Sequence, residues 1–212
     1  MFLPVRGRFR VAKNYAWSDK HSDQRRGELR IMESGSCQWQ VLLARQTNMP
    51  LEIANVTPGD RVSIRAFLGR WGLPVIEDSD GPASINASDF DDLVRTMRTA
   101  LSLWSNGDTS GFARHLQAHG RLAIELRYNP ALAPGSAPMY IECRDPASFA
   151  WCQLGQQEGR NVEYRRCGRC GTYFAIAGVE GHRRSRQYCS DRCRVAANRG
   201  KKRTLTPDLN PL

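Results

Sequence analysis

Four of the seven cysteines in this chain stand in two close pairs near its C-terminal end. Cys167 and Cys170 have two residues between them, Cys189 and Cys193 have three, and eighteen residues separate the pairs. Four thiolates at this spacing can close a tetrahedron around one Zn²⁺. Two disulfides, or four unrelated thiols, would not require the paired spacing. The pattern therefore predicts a structural Zn²⁺ with no open position for water or a substrate.

The residues around these cysteines predict the elements that hold them. Glycines flank Cys170, where a tight metal-binding turn needs unusual backbone angles. Residues 173–177 read as a short strand, and Gly178 and Gly181 allow a turn after it. Residues 190–199 read as a helix with an acidic residue in its first turn and no proline. A knuckle, a hairpin and a helix that carries the last two ligands make a treble clef.

The cysteine segment is also strongly basic. Residues 160–203 hold 13 Lys or Arg and 3 Asp or Glu, which gives +10, so the remaining 18 of each sign leave the rest of the chain neutral. Such a concentration indicates a polyanionic partner, the alternative being a solvated basic face without a ligand. The side chains expected to contact nucleic-acid phosphates are Arg183, Arg184, Arg186, Arg192, Arg194, Arg199, Lys201, Lys202 and Arg203.

The segment resembles the bacterial treble-clef zinc fingers of the CGNR type, which stand at the C-terminus of proteins regarded as transcription regulators. The resemblance lies in Cys167-x-x-Cys170, in Phe174, in the basic run 183–186 and in Tyr188-Cys189-Ser190. In that family Gly-Asn-Arg follows the last cysteine directly, whereas Asn198-Arg199 stands about one helical turn later in this chain. The resemblance implies DNA binding by the finger and a ligand-sensing or adapter role for the domain before it.

The rest of the chain predicts an α+β protein: a mixed α/β domain over residues 1–160, the finger over residues 161–203 and a disordered tail over residues 204–212. Residues 84–160 show helical periodicity, with a capping-box pattern at Ser88. Residues 37–43 and 51–56 read as strands. Residues 61–71 could form a helix or a strand, and the alternation of Val62, Ile64 and Ala66 favours a strand.

Composition and motifs limit the functional classes. No run of about 18 apolar residues occurs and the N-terminus lacks the apolar core of a signal peptide, so we expect a cytoplasmic protein with no membrane partner. The other three cysteines, Cys37, Cys143 and Cys152, fit buried apolar positions in a reducing compartment.

The sequence contains no complete signature of an enzyme active site. His115 and His119 share a helical face, but the position after His115 is Leu and not the Glu of a metalloprotease, so surface histidines are the preferred interpretation. A treble-clef nuclease would need a general base in the hairpin, where His182 is the single candidate. We therefore predict a non-enzymatic, zinc-dependent nucleic-acid-binding protein, with DNA preferred over RNA. An RNA-binding module and a protein-interaction adapter remain as alternatives.

Overall fold

The computed structural model describes residues 5–18, 30–43, 48–74, 84–120, 122–128, 139–157, 162–176 and 185–203, and it is an α+β fold. In chain order the first half holds β1 (Val5–Ser18), β2 (Arg30–Leu43), α1 (Met49–Ala54), α2 (Arg61–Trp71), β3 (Ser84–Asn86) and α3 (Ala87–Ser105). The second half holds α4 (Thr109–His119), β4 (Ile124–Tyr128), β5 (Met139–Cys143), α5 (Pro146–Gln157), β6 (Glu163–Arg166), β7 (Tyr173–Ile176) and α6 (Asp191–Arg203).

The larger sheet has five strands in the order β3-β2-β1-β5-β4. The long hairpin of β1 and β2 is antiparallel with an irregularity between Ala12 and Asn14, and β1 is parallel to β5. Helices pack on the face of this sheet that carries Phe9, whose ring meets that of Phe149 on α5 edge-on at 5.5 Å. Within the helical layer, Phe67 of α2 meets Phe90 of α3 in the same way at 5.6 Å. The core thus joins α2, α3 and α5 to the sheet.

Two predicted strands are helices. Residues 51–56 lie largely in α1, and residues 61–71 form α2. Asp60 caps α2, accepting hydrogen bonds from the backbone N–H groups of Val62 and Ser63 at 3.1 Å. The buried residues of α2 recur at helical spacing, and Val62, which supported the strand prediction, is 77% exposed. The four buried side chains are Ile64, Phe67, Leu68 and Trp71.

The helices predicted beyond residue 84 are present, with one error at a boundary. The apolar stripe of α3 is buried at Phe90, Val94, Met97 and Leu101, as its periodicity predicts. The capping box at Ser88 is wrong, because α3 begins at Ala87 and the carboxylate of Asp91 accepts instead from the backbone N–H of Gly59 at 3.0 Å.

A side chain caps the start of α5. Asp145 accepts a hydrogen bond from the backbone N–H of Ser148 at 2.7 Å, and Pro146 is the first helical residue. Cys143 is buried, as expected, while Cys152 is half-buried. Among the residues that the structure describes, no helix is both long and apolar enough to cross a membrane.

Candidate metal centre

The four paired cysteines converge at one point. Cys167 follows β6 and Cys170 lies in the turn before β7, while Cys189 precedes α6 and Cys193 lies in its first turn. All four sulfur atoms lie within 4.8 Å of one another. The Sγ atom of Cys189 is 3.5 Å from that of Cys170 and 3.7 Å from that of Cys193. The predicted ligands therefore form a single cluster.

The spacing of the sulfur atoms suits a tetrahedral metal. A Zn–S bond of about 2.3 Å in tetrahedral geometry separates neighbouring sulfur atoms by about 3.8 Å, close to the distances at Cys189. A disulfide would require about 2.05 Å, and all four cysteines are free. Soft thiolate donors select Zn²⁺ or an iron–sulfur cluster over hard cations. The centre can thus bind a thiophilic metal.

Backbone hydrogen bonds shape the first half of the centre. The N–H of Cys167 donates to the carbonyl of Thr172 at 2.9 Å, and the N–H of Gly171 donates back to the carbonyl of Cys167 at 3.0 Å. Gly171 has φ +75°, a left-handed conformation that glycine adopts without strain. The N–H of Gly168 reaches the carbonyl of Gln187 at 3.2 Å and so joins the two halves of the site.

Protonation is unevenly distributed over the cluster. Burial raises the pKa of the Cys167 thiol, but the surrounding backbone N–H groups, led by that of Cys170, outweigh it and lower the pKa to about 6. The hydroxyl of Thr172, 3.2 Å from the sulfur, lowers the pKa of Cys170. Burial and the neighbouring thiols raise the pKa of Cys189 to about 12. The metal-free cluster therefore holds both thiolate and thiol at neutral pH.

Arg186 is a part of the centre's framework. Its Nε donates to the carbonyl of Tyr188 at 2.8 Å, and its Nη2 donates to the carbonyl of Cys189. The guanidinium lies 5.6 Å from the ring centroid of Phe174. Arg165 in turn donates to the carbonyl of Arg186 at 3.0 Å. In the structure Arg186 holds the loop that carries the third cysteine, Cys189, and its contact with a phosphate stays a prediction.

The other residues expected to contact phosphates fall into three groups. Arg192, Arg194 and Arg199 are exposed on α6, and Arg194 pairs with Asp191 at 3.1 Å. The backbone of α6 continues through Lys201, Lys202 and Arg203. Arg183 and Arg184 lie outside the described residues, as do His182, the predicted turn glycines and the C-terminal tail.

Two further arginines are exposed in the first half of the centre, and neither is among the predicted phosphate contacts. Arg166 ends β6 and Arg169 lies between the first two cysteines. Their position next to a metal knuckle was the signal available in the sequence. They place exposed positive charge on the knuckle side of the cluster.

The hairpin of β6 and β7 is joined to the larger sheet's helices by polar contacts that the sequence did not suggest. The side chain of Asn55 accepts from the N–H of Tyr173 at 2.8 Å and donates to its carbonyl at 3.0 Å, as a neighbouring strand would. The indole of Trp104 donates to the carbonyl of Val162 at 2.7 Å. These contacts fix the metal centre against α1 and α3.

The histidine pair on α4 does not extend to a metal site. His119 is exposed, and its ring centroid lies 4.6 Å from that of His115. His115 is half-buried rather than a surface residue, and its Nε2 lies 2.9 Å from the carbonyl of Thr96. Within the described part of the chain, the cysteine cluster is the one group of potential ligands.

Comparison of the chain with models of protein families, and with curated protein sequences, gives no match to either. The functional interpretation therefore depends on the chemistry of the site.

Proposed function

We propose that the chain binds nucleic acid, and DNA in preference to RNA, through a basic surface that one Zn²⁺ holds in place. The observation that carries the proposal is the juxtaposition of the cysteine cluster with exposed arginines on two different elements. Arg192 and Arg199 are exposed on α6, and Arg169 is exposed on the knuckle. The metal centre would thus fix the relative position of cations that are distant in sequence.

The cluster favours a structural role for the metal. Four cysteine ligands fill a tetrahedral zinc shell, so the ion would have no position for water or substrate. Chemistry at the ion is therefore not part of the proposal. Four thiolates and one Zn²⁺ would add about −2 to the segment, which leaves residues 160–203 near +8 from their side-chain charge of +10. The segment would stay strongly cationic with metal bound.

The helix α6 depends on the cluster for its position. Among the described elements, none packs extensively against α6, which carries Cys193 in its first turn and begins just after Cys189. Arg192 and Arg199 are seven residues apart, or about two helical turns, so they lie on one side of the helix. A metal-held helix with cations along one side could follow a phosphate backbone.

The test measures DNA affinity of the zinc-loaded full chain over a salt series. If about five side chains neutralise phosphates, log K should fall with log salt at a slope of about −4 to −5. R192A and R199A should each flatten that slope by about one unit. R65A is the matched control, because Arg65 is exposed on α2, which carries none of the four cysteines, and should leave the slope unchanged.

A second arm compares duplex DNA with single-stranded RNA of the same length, before and after chelation of the metal. Tighter binding to DNA that chelation abolishes supports the proposal. Preference for RNA would assign the surface to an RNA-binding module. No affinity for either polyanion by the folded, zinc-loaded chain at about 50 mM salt would refute nucleic-acid binding and favour an adapter role.

A further inference from the structure

Exposed apolar side chains are concentrated at one edge of the five-stranded sheet. Seven large hydrophobic residues are exposed in the described part of the chain. Two of them, Val62 and Val195, lie apart on α2 and α6. The other five lie on or beside β4 and at the start of β5: Leu122, Ile124, Leu126, Tyr128 and Met139. Single exposed apolar residues are ordinary, whereas a group of this kind indicates a contact surface.

These side chains continue the apolar face of the sheet past its helical cover. Residues alternate across a strand, so Ile124, Leu126 and Tyr128 lie on one face of β4. Their partners on β5 are Cys143, Ile141 and Met139 respectively. Cys143 is fully buried and Ile141 packs against the core, which identifies this as the core-facing side. Leu126 and Tyr128 on the same side are 60% and 67% exposed.

The opposite face of β4 is charged. Glu125 and Arg127 alternate with the apolar residues and form an ion pair with each other. Arg127 also lies 3.5 Å from the carboxylate of Glu142 on β5. The strand thus has one apolar and one charged face, like a strand in the interior of a half-buried sheet.

β4 is nevertheless a terminal strand. It pairs with β5 along one side and has no second neighbour among the described strands. A terminal strand presents unpaired N–H and C=O groups, and native proteins usually protect such an edge with charge, proline or a covering element. In β4 the apolar side chains occupy three of five positions, so the edge favours addition of another strand.

We propose that β4 pairs with β4 of a second copy of this chain, forming a symmetric dimer with a ten-stranded sheet. The sequence Ile-Glu-Leu-Arg-Tyr is self-complementary when two copies run antiparallel about Leu126. Glu125 then lies opposite the partner's Arg127, and Arg127 lies opposite the partner's Glu125. Ile124 lies opposite the partner's Tyr128, and the two copies of Leu126 meet at the axis.

This pairing satisfies both faces at once. A twofold axis through the Leu126 pair keeps the apolar stripes on the same side of the continuous sheet, where they extend one another. On the other side each carboxylate lies directly opposite a guanidinium, the arrangement that stabilises cross-strand pairs. One short strand per chain gives a contact at the small end of specific interfaces, so we expect a dissociation constant of about micromolar order.

Reversal of charge tests the pairing. In the homodimer of E125R, both opposed pairs of positions 125 and 127 consist of two arginines. In the homodimer of R127E, both pairs consist of two glutamates. Each variant alone should dimerise at least about tenfold more weakly than the parent chain, measured by sedimentation over a concentration series. An equimolar mixture of the two should recover dimer, because every opposed pair is then of opposite charge. A chain carrying both changes should also recover.

Recovery in the mixture separates the proposal from misfolding, since a misfolded variant gains nothing from its counterpart. L126K should abolish the dimer, whereas V62K should leave it intact. Val62 is the matched control because it is 77% exposed on α2, which packs against β1. A parent chain that is monomeric up to about millimolar concentration overturns the proposal. A dimer that is equally stable in E125R and R127E, or a mixture no more dimeric than its components, overturns it as well.

Discussion

Replacing Arg186 by alanine should weaken metal binding, because the residue holds the backbone of the loop that carries Cys189. Its guanidinium donates to the carbonyls of Tyr188 and Cys189, which form the approach to α6. The same group lies over the ring of Phe174, which belongs to the small apolar cluster around Cys167. R186A removes all of these contacts and leaves two carbonyls in the ligand loop without their charged donor.

The size of the effect follows from the contacts. A hydrogen bond to a charged group contributes about 1.5–3 kcal/mol, and a cation–π contact at an accessible site contributes about 0.5–1 kcal/mol. Arg186 is half-buried, so water can replace part of what is lost. We therefore expect Arg186 to stabilise the ordered conformation of the ligand loop by about 2–3 kcal/mol. If metal binding must restore that order, the metal dissociation constant should rise by about 30- to 150-fold.

The assay is competition for Zn²⁺ against a chromogenic chelator, with the full chain at neutral pH. R194A is the matched control, because Arg194 is exposed and its pairing with Asp191 is a surface ion pair that contributes at most about 1 kcal/mol. R186K should lie between the parent and R186A, since lysine keeps the charge but lacks the planar fork that reaches two carbonyls.

An R186A chain that holds Zn²⁺ as tightly as R194A would refute this reasoning. If Arg186 acted only as a phosphate contact, metal affinity would be unchanged and the salt slope of DNA binding would flatten by about one unit. The two roles therefore give opposite results in two independent measurements.

Three further predictions address the metal, acidity and the boundary between the two parts of the chain. C189S with C193S should remove the single metal that elemental analysis finds in the parent chain. Because the pKa of Cys189 is raised to about 12, this thiol must release its proton on binding, so apparent zinc affinity should rise from about pH 6 to about pH 8. Burial is the main cause that raises the pKa of Asp145 from 3.8 to about 6. As pH falls, this carboxylate is therefore protonated in the folded state before it is protonated in the unfolded state. Between about pH 4 and about pH 6 this group alone should make folding less favourable as pH rises, by at most about 3 kcal/mol. D145N keeps a side chain that can cap the helix. In this variant, the free energy of unfolding measured with denaturant should lack the pH dependence that Asp145 causes. A chain ending at Gly159 should fold without zinc but unfold at lower denaturant than the parent, because it lacks Val162 and Tyr164 of the main core. Each of these buried side chains contributes about 1.5–3 kcal/mol. An unchanged midpoint would mean that the two parts are energetically independent.

The cysteine cluster could be predicted because each pair is local in sequence. Ligands with two or three residues between them lie close together in a turn or at the start of a helix, and four such thiols in two pairs are typical of one zinc site even when eighteen residues separate the pairs. The role of Arg186 could not be found in this way. The basic run predicts charge on a surface, and only the path of the backbone turns one of its members towards the carbonyls of the ligand loop.

Helices with a long apolar stripe were predictable for a similar reason. The stripe of α3 extends over many residues, so its period is unambiguous, whereas the eleven residues of α2 also contain a run that alternates. In α2 the apolar residues at positions 64, 67, 68 and 71 outweigh that alternation because the core lies along one side of the helix. The order of strands in the sheet was beyond sequence reasoning, since the parallel pairing of β1 with β5 joins segments more than a hundred residues apart.

The hairpin of β6 and β7 connects the metal centre to the main core through its two faces. Tyr164 is 2% exposed within the main core, and its strand neighbour Arg165 donates to the ligand loop at the carbonyl of Arg186. On β7, Phe174 and Ile176 belong to the apolar cluster around Cys167, while Tyr173 and Ala175 pack against the main core. Because residues alternate along a strand, β7 contributes to both apolar clusters, while β6 contributes Tyr164 to the main core. The hairpin can therefore keep its place through the main core when metal is lost.

The helix α6, which depends on the cysteines, has no comparable support among the described elements. Metal binding would thus act mainly on the position of the basic helix, which is the element that the proposed function requires.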